Sequence, residues 1–329
     1  MRPSPDAVPP LIPEPQLADA LGNYDLPGQP ELRFLKRGFN DHYEVTLRHG
    51  GEEVPGGRYI LRVYLVDKPY ISGLKDIEAE LEALTALAGH GVPVSTPLPR
   101  HDGRLWAPLE AGESSRPLAL FSYAPGEELG GDAFNESAAR NLGLAVAHLH
   151  AGGDLHGLGA GRYRLDETYL IDRPVATLVK LLGSEAGDLG RYGERLKAGL
   201  KALPRTPGPF GFVHGDLHTG NLRVLEDQPT FFDFDHAAQG WRAYDLAVLR
   251  MSLPDGPWAA LLEGYRSVRA FTSVEEEALP LLARVRQLWD LGDFLAMRAT
   301  GAWGQTPLSE RSLAHVLEQV QAMQKPPVV

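Results

Sequence analysis

Cysteine is absent from all 329 residues, which excludes a disulfide framework, a thiolate nucleophile and any thiolate metal site. Any metal would have to be held by His, Asp, Glu, Asn and water. Positive charge is also scarce: 32 Lys and Arg face 43 Asp and Glu, a net charge of −11 with a pI near 5.5. A field of that sign is not drawn to phosphate backbones or anionic lipid, so neither nucleic acid nor a membrane surface is expected as a partner. Long apolar runs are missing too, and nothing approaches the roughly 18 to 20 residues of a membrane span. The Pro-rich start, residues 1–15, has no apolar run behind a basic segment and does not read as a signal peptide. These absences predict a cytoplasmic protein whose first 20 residues are mobile.

What is present is ordinary globular composition, 43% hydrophobic and 23% charged, enough for one large core or two modest ones. Residues 31–47 and 58–66 read as strands, the second a compact run Tyr59-Ile60-Leu61-Arg62-Val63-Tyr64, with a Gly-rich polar turn between them. Ile77, Leu81, Leu84 and Leu87 recur on one helical face over residues 76–88, which Gly89-His90-Gly91 ends. A second strand pair is predicted around 105–108 and 118–121. After the turn signal Ser122-Tyr123-Ala124-Pro125-Gly126 the character becomes helical, with helices expected over 138–150, 175–182, 258–269, 275–300 and 308–323. The lobe boundary is placed there, giving a lobe of residues 1–121 and another of 122–329.

One strand-like block, residues 212–234, holds most of the chemistry. Within Val213-His214-Gly215-Asp216-Leu217-His218-Thr219-Gly220-Asn221 a carboxylate and a carboxamide stand in the pattern His-x-Asp-x-x-x-x-Asn on a polar loop between apolar runs. The run Phe231-Phe232 then delivers Asp233, and Asp235 follows. Phosphoryl transfer requires a carboxylate to orient and deprotonate an acceptor hydroxyl, and oxygen ligands for a Mg²⁺ that bridges the phosphates. Each residue alone is more often a turn or cap; together they point to a kinase.

Residues 212–249 resemble the catalytic core of the aminoglycoside phosphotransferase and choline kinase-like superfamily, and the likeness extends from about Leu32 to the late helices. It implies an α+β, bilobal protein-kinase-like fold, with a small antiparallel-sheet lobe carrying one helix and a larger, mostly helical lobe. It implies Asp216 as catalytic base, Asn221 and Asp233 as Mg²⁺ ligands, His214 holding the loop in shape and Asp245 bracing it. His218 is expected to be structural, and Asp235 either lies near the metal or faces the acceptor.

In the first lobe the resemblance places Arg62 where the superfamily usually has Lys, on the strand beneath the nucleotide phosphates, with Glu80 as its partner. Arg37-Gly38-Phe39-Asn40-Asp41-His42-Tyr43 resembles the phosphate-covering loop, so Gly38 and Asn40 are expected at the nucleotide, ATP or GTP, with Phe121 and Tyr123 in the hinge that reads the base. A small hydroxyl-bearing acceptor is expected, such as an aminoglycoside, amino alcohol or homoserine-like compound. Asp290 and Asp293 share a helix face that could meet an amine or pair with nearby Arg residues. Trp258, Tyr265 and Trp289 read as core. Residues 165–174 are loosely similar to stress-response kinase A, which keeps a protein serine/threonine acceptor open. A nucleotide-binding pseudokinase, suggested by Arg62, and a metal-dependent hydrolase built on His214, Asp216 and His218 are the rivals.

Overall fold

The computed structural model describes residues 11–65, 68–71, 73–111, 114–130, 134–156, 161–253, 256–299 and 309–324. Helix α1 (Glu14–Leu21) leads into β1 (Gln29–Arg37), β2 (Asn40–His49) and β3 (Glu52–Tyr64), then α2 (Leu74–Gly89), β4 (Ala107–Ala111) and β5 (Ser114–Ser122). The five strands form one antiparallel sheet in the order β1-β2-β3-β5-β4. The single strand expected over 31–47 is therefore a hairpin, turned at Gly38-Phe39, and β3 starts earlier than residue 58 because Glu52 and Glu53 already pair with His49 and Arg48. Val66, at the end of the second predicted strand, lies outside the described residues.

Helix α1 corrects the expectation of a mobile start and of a single helix beside the sheet. Its prolines sit at the first turn, where a missing N–H costs nothing, and Leu17 and Leu21 are fully buried against the sheet core of Val45, Leu47, Leu61 and Leu120. Residues 1–10 lie outside the described residues. In α2 the stripe Ile77, Leu81, Leu84 and Leu87 is buried as the spacing predicts, and Glu80, three after Ile77 and four before Leu84, is carried into the interior with it.

Beyond β5 the chain is helical: α3 (Glu136–Leu155), a short β6 (Arg164–Leu165), a π-helical turn over 168–172, α4 (Arg173–Leu182) and α5 (Leu189–Ala202). The block of 212–234 is not one unit. β7 (Phe210–Val213) joins a small sheet ordered β6-β10-β7, while β8 (Leu222–Leu225) and β9 (Gln228–Phe231) form a separate hairpin; β10 is Ala238–Trp241. Then come α6 (Arg242–Ser252), α7 (Trp258–Arg266), α8 (Ser273–Glu277), α9 (Leu279–Ala299) and α10 (Glu310–Gln324). The helix expected over 275–300 is broken at Ala278, after a Thr272/Glu275 capping box and just before Pro280. Thr300 and Leu308, the predicted ends of two helices, lie outside the described residues.

Helices α3 and α7 pack backbone to backbone. A Cβ on Gly143 would stand 1.9 Å from the Leu261 carbonyl oxygen, and one on Gly264 would stand 2.0 Å from that of Arg140.

Candidate active site

The loop after β7 is shaped by hydrogen bonds to its own backbone. Asp245, on the first turn of α6, accepts the N–H of His214 at 2.7 Å and of Gly215 at 2.9 Å. Asp245 is held from behind by His150 Nε2 at 3.0 Å, and His150 Nδ1 meets the Tyr265 hydroxyl at 2.8 Å. Gly215 has φ +82°, and a Cβ there would lie 2.3 Å from the His236 carbonyl oxygen, so the turn requires glycine. His214 donates from Nε2 to the Phe232 carbonyl at 3.0 Å and accepts the Asp216 N–H at Nδ1 at 3.3 Å. Both of its nitrogens are thus engaged, and no cluster of three or more His, Asp or Glu that could hold a metal occurs among the described residues. Nothing here favours the hydrolase reading.

This framework presents Asp216 and Asn221 together. The Asn221 amide donates to the Asp216 carbonyl at 2.9 Å and to its carboxylate at 3.2 Å, which leaves the Asn221 side-chain oxygen as its ligand atom. His218 accepts the Gly220 N–H at 3.0 Å, closing the loop from inside, and approaches the Asp216 carboxylate at 3.7 Å. Arg286, from α9, reaches the other oxygen of Asp216 at 2.6 Å and also holds Asp290 at 2.7 Å. Burial by itself would raise the Asp216 carboxyl, but Arg286, then His236 and His218, outweigh it and hold the group at about 2.

On the sheet side, Arg62 is buried and pairs with Glu80 at 2.8 Å, as the resemblance implied. The Tyr64 hydroxyl donates to the second Glu80 oxygen at 3.2 Å. Burial pushes Glu80 up against the opposing pull of Arg62, and three carboxylates hold Arg62 in its charged form. Arg62 also meets Asp233 and Asp235, each at 3.2 Å. Asp233 has φ +66°, a left-handed backbone that aims its carboxylate back toward Arg62, and its side chain remains 32% exposed.

Asp235 is turned into the interior. Its carboxylate is buried among Asn40 Nδ2 at 2.8 Å, Lys68 Nζ at 2.7 Å, Arg62 and the Tyr70 hydroxyl at 3.4 Å. Burial alone would raise it, but Lys68 and Arg62 hold it well below the carboxylate range. Lys68 went unseen in the sequence because it lies in an irregular segment beyond β3.

A cavity of about 200 Å³ lies between the sheet and the loop, walled by Ile60, Arg62, Leu84, Phe121, Tyr123, Asn221, Phe232 and Asp233, with Lys36 and His42 at one side. The predicted hinge and phosphate residues Phe121, Tyr123 and Arg62 thus converge with Asn221 and Asp233. Gly38 and Asn40 are not among the residues that line it: the Gly38 N–H meets the Asn40 carbonyl within the hairpin turn, and the Asn40 side chain bonds Asp235 and the Leu65 N–H. His42, which pairs with Arg62 across the sheet, is pushed down to about 4 by burial and by Arg62, and is neutral near pH 7. A larger cavity of about 1120 Å³ lies between α9 and α10 and contains none of the residues converging at Asp216, so the smaller cleft is the chemically furnished one.

The phosphotransferase enzyme family model matches residues 31–319. The chain belongs to this family. An uncharacterized protein of Deinococcus radiodurans is 38% identical over 278 residues, 80% of this chain and 77% of that one. The homoserine kinase of Rhizobium meliloti is 31% identical over 253 residues, 69% of each. Among solved structures, an amicoumacin kinase complexed with AMP-PNP, Ca²⁺ and Ami superposes with a TM-score of 0.74 at 20% identity, over 93% of this chain and 91% of that one. A microcompartment-associated aminopropanol kinase gives 0.70 at 25% identity, over 93% and 94%. The phosphotransferase has the bilobal protein-kinase-like α+β fold that the resemblance implied, and it is a kinase with an alcohol group as acceptor. No helix among its described residues is long and apolar enough to cross a membrane.

Proposed function

We propose that the protein transfers the γ-phosphate of ATP or GTP to the hydroxyl of a small amine-bearing acceptor, with Asp216 as the base. The single observation that carries the reading is the convergence of Arg62, Asn221 and Asp233 on one cleft, with Asp216 bonded to Asn221 at its edge. The names of two relatives, a homoserine kinase and an aminopropanol kinase, both denote acceptors that bear an amine and a hydroxyl. In this reading residues 1–121 form the nucleotide lobe and 122–329 the acceptor lobe, and the reaction runs in the cytoplasm, where nucleoside triphosphates are kept.

The donor set suits a hard divalent cation: one carboxamide oxygen and one part-exposed carboxylate, with no sulfur and no imidazole needed. Asn221 and Asp233 would hold Mg²⁺, which would supply charge neutralisation between the β- and γ-phosphates. Arg62, fixed by Glu80, positions the phosphates, and Phe121 and Tyr123 flank the base. Asp216 accepts a hydrogen bond from the acceptor hydroxyl and takes its proton as the new P–O bond forms and the bond from the γ-phosphorus to the β-phosphate oxygen breaks, releasing the nucleoside diphosphate. Held at about 2, Asp216 is a weak base, which fits a loose transition state in which the proton moves late. An intact base and intact metal-ligand candidates weigh against a pseudokinase.

The test is Mg²⁺-dependent transfer of label from γ-labelled ATP and GTP by wild type and Asp216→Asn, against amino alcohols, homoserine, amino sugars and a generic protein. Label on a small amine-bearing acceptor, lost in Asp216→Asn, is the expected result. Label on protein alone, or nucleotide binding with no transfer to any pool, would overturn it.

A further inference from the structure

The proposed chemistry leaves unused a group of buried polar atoms beside Asp216. Both ring nitrogens of His236 find no hydrogen-bond partner among the described residues. Asp293, on α9, is more than nine-tenths buried, yet no hydrogen bond from a described residue reaches its carboxyl and no cation among the described residues comes within ion-pair distance. A buried carboxyl left in that state is costly, and such groups are kept where a ligand completes them.

Asp293 lines a cavity of about 80 Å³ together with Tyr169, Trp289 and Arg173. That volume admits a few heavy atoms. Its walls are aromatic: Tyr163 stacks on Tyr169 at 4.3 Å, and Tyr169 faces Trp289 at 6.5 Å. The cavity adjoins the catalytic loop, because the Trp289 ring meets His236 edge-on at 4.9 Å and carries the Arg286 guanidinium at 4.9 Å, and Arg286 touches Asp216. Pro69 forms part of its wall, and Arg173 is diverted from Asp293 to the Pro69 carbonyl at 2.7 Å and to the face of Tyr169. The cations nearby are thus already committed, and the acid is not.

We propose that this cavity seats the ammonium end of the acceptor, with Asp293 as its counter-ion and Tyr169 and Trp289 as its walls, while the acceptor hydroxyl lies at Asp216. The assignment rests on the phosphotransfer reading above and adds a residue that sets specificity. An acid facing aromatic walls selects a cation over a neutral alcohol of the same size, since the rings add cation–π attraction to the ionic contact. Burial pushes Asp293 up to about 7, with Arg173 opposing and Asp216 adding to the rise, so an entering ammonium would return the group to its charged form.

Calorimetric titration of the protein with Mg²⁺ and a non-hydrolysable ATP analogue tests it, using matched probes: 3-aminopropan-1-ol against propane-1,3-diol, and homoserine against 4-hydroxybutyrate. Wild type is expected to bind the amine of each pair and to discriminate against its partner. Asp293→Asn should lose about thirtyfold or more of the amine affinity while keeping its nucleotide affinity. Tyr169→Leu, which leaves the charge in place, should lose about tenfold, and serves if the Asp293 variant does not fold. Amine affinity unchanged in both variants, equal loss of amine and diol, or no amine bound by wild type would each overturn the assignment. Amines that bind through Asp293 but never receive phosphate would instead sink the phosphotransfer reading and leave the pocket standing.

Discussion

Arg286 of α9 holds the Asp216 carboxylate at 2.6 Å, so the base candidate of the catalytic loop is oriented by a helix far downstream in the sequence. Removing that guanidinium leaves Asp216 buried without its main counter-charge. For Arg286→Leu we expect the Asp216 carboxyl to rise, moving the acid limb of the kcat profile to higher pH, and kcat to fall by about a hundredfold from lost orientation. A variant whose acid limb coincides with that of wild type would show that Arg286 acts elsewhere.

Asp235 is a single anion serving two buried cations, Arg62 and Lys68. Asp235→Leu strands Lys68 and takes from Arg62 one of its three carboxylates, and should cost about 3 to 5 kcal/mol in denaturant unfolding. Adding Lys68→Met should recover part of that loss, since one stranded charge goes with it. Strict additivity of the two changes would mean that Lys68 and Asp235 do not interact.

Burial holds His236 at about 4, and burial with Arg62 holds His42 at about 4. Each stays neutral in the fold while the unfolded chain takes up a proton below about 6.5. Stability is therefore lost as pH falls from about 6.5 to about 4, by as much as about 3 kcal/mol for each group. Urea unfolding across that window should show the loss, and His236→Gln should shrink it. An undiminished pH dependence in the variant would assign the loss to other groups.

Gly143→Ala places a Cβ 1.9 Å from the Leu261 carbonyl and forces α3 and α7 apart. We expect a loss of about 3 kcal/mol or more, read as a lower melting temperature, because backbone cannot give way as a side chain can. An unchanged melting temperature would mean that the two helices are free to separate.

The parts of the site that the sequence disclosed are those whose chemistry is local. His214, Asp216 and Asn221 share one loop, and Asp233 follows at a strand end, so spacing alone presents them; Arg62 and Glu80 follow from strand and helix patterns once the resemblance sets their register. Lys68 and the contact of Arg286 with Asp216 were not legible, because each arises from tertiary packing that local spacing does not record. The bond from the Asn40 amide to Asp235 was hidden for the same reason, since a turn-adjacent polar residue does not disclose its partner in sequence. Among the elements, α1 was hidden by Pro13 and Pro15, which read as breakers but open the helix. Helix α5 buries Leu189, Leu196 and Leu200, a helical spacing obscured by Gly190, Gly193 and Gly199.

Asn40, Arg62 and Lys68 all terminate on the same Asp235 carboxylate. Positions that share one counter-ion cannot drift independently. Relatives that keep an acid at this position should keep a cation at the Lys68 position, and relatives that lose the acid should have replaced Lys68 with a neutral residue, while Arg62 keeps Glu80 and Asp233. The cluster therefore leaves a record legible in descent: correlated exchange at Asn40 and Lys68 in the sheet half, tied to a position far along the chain.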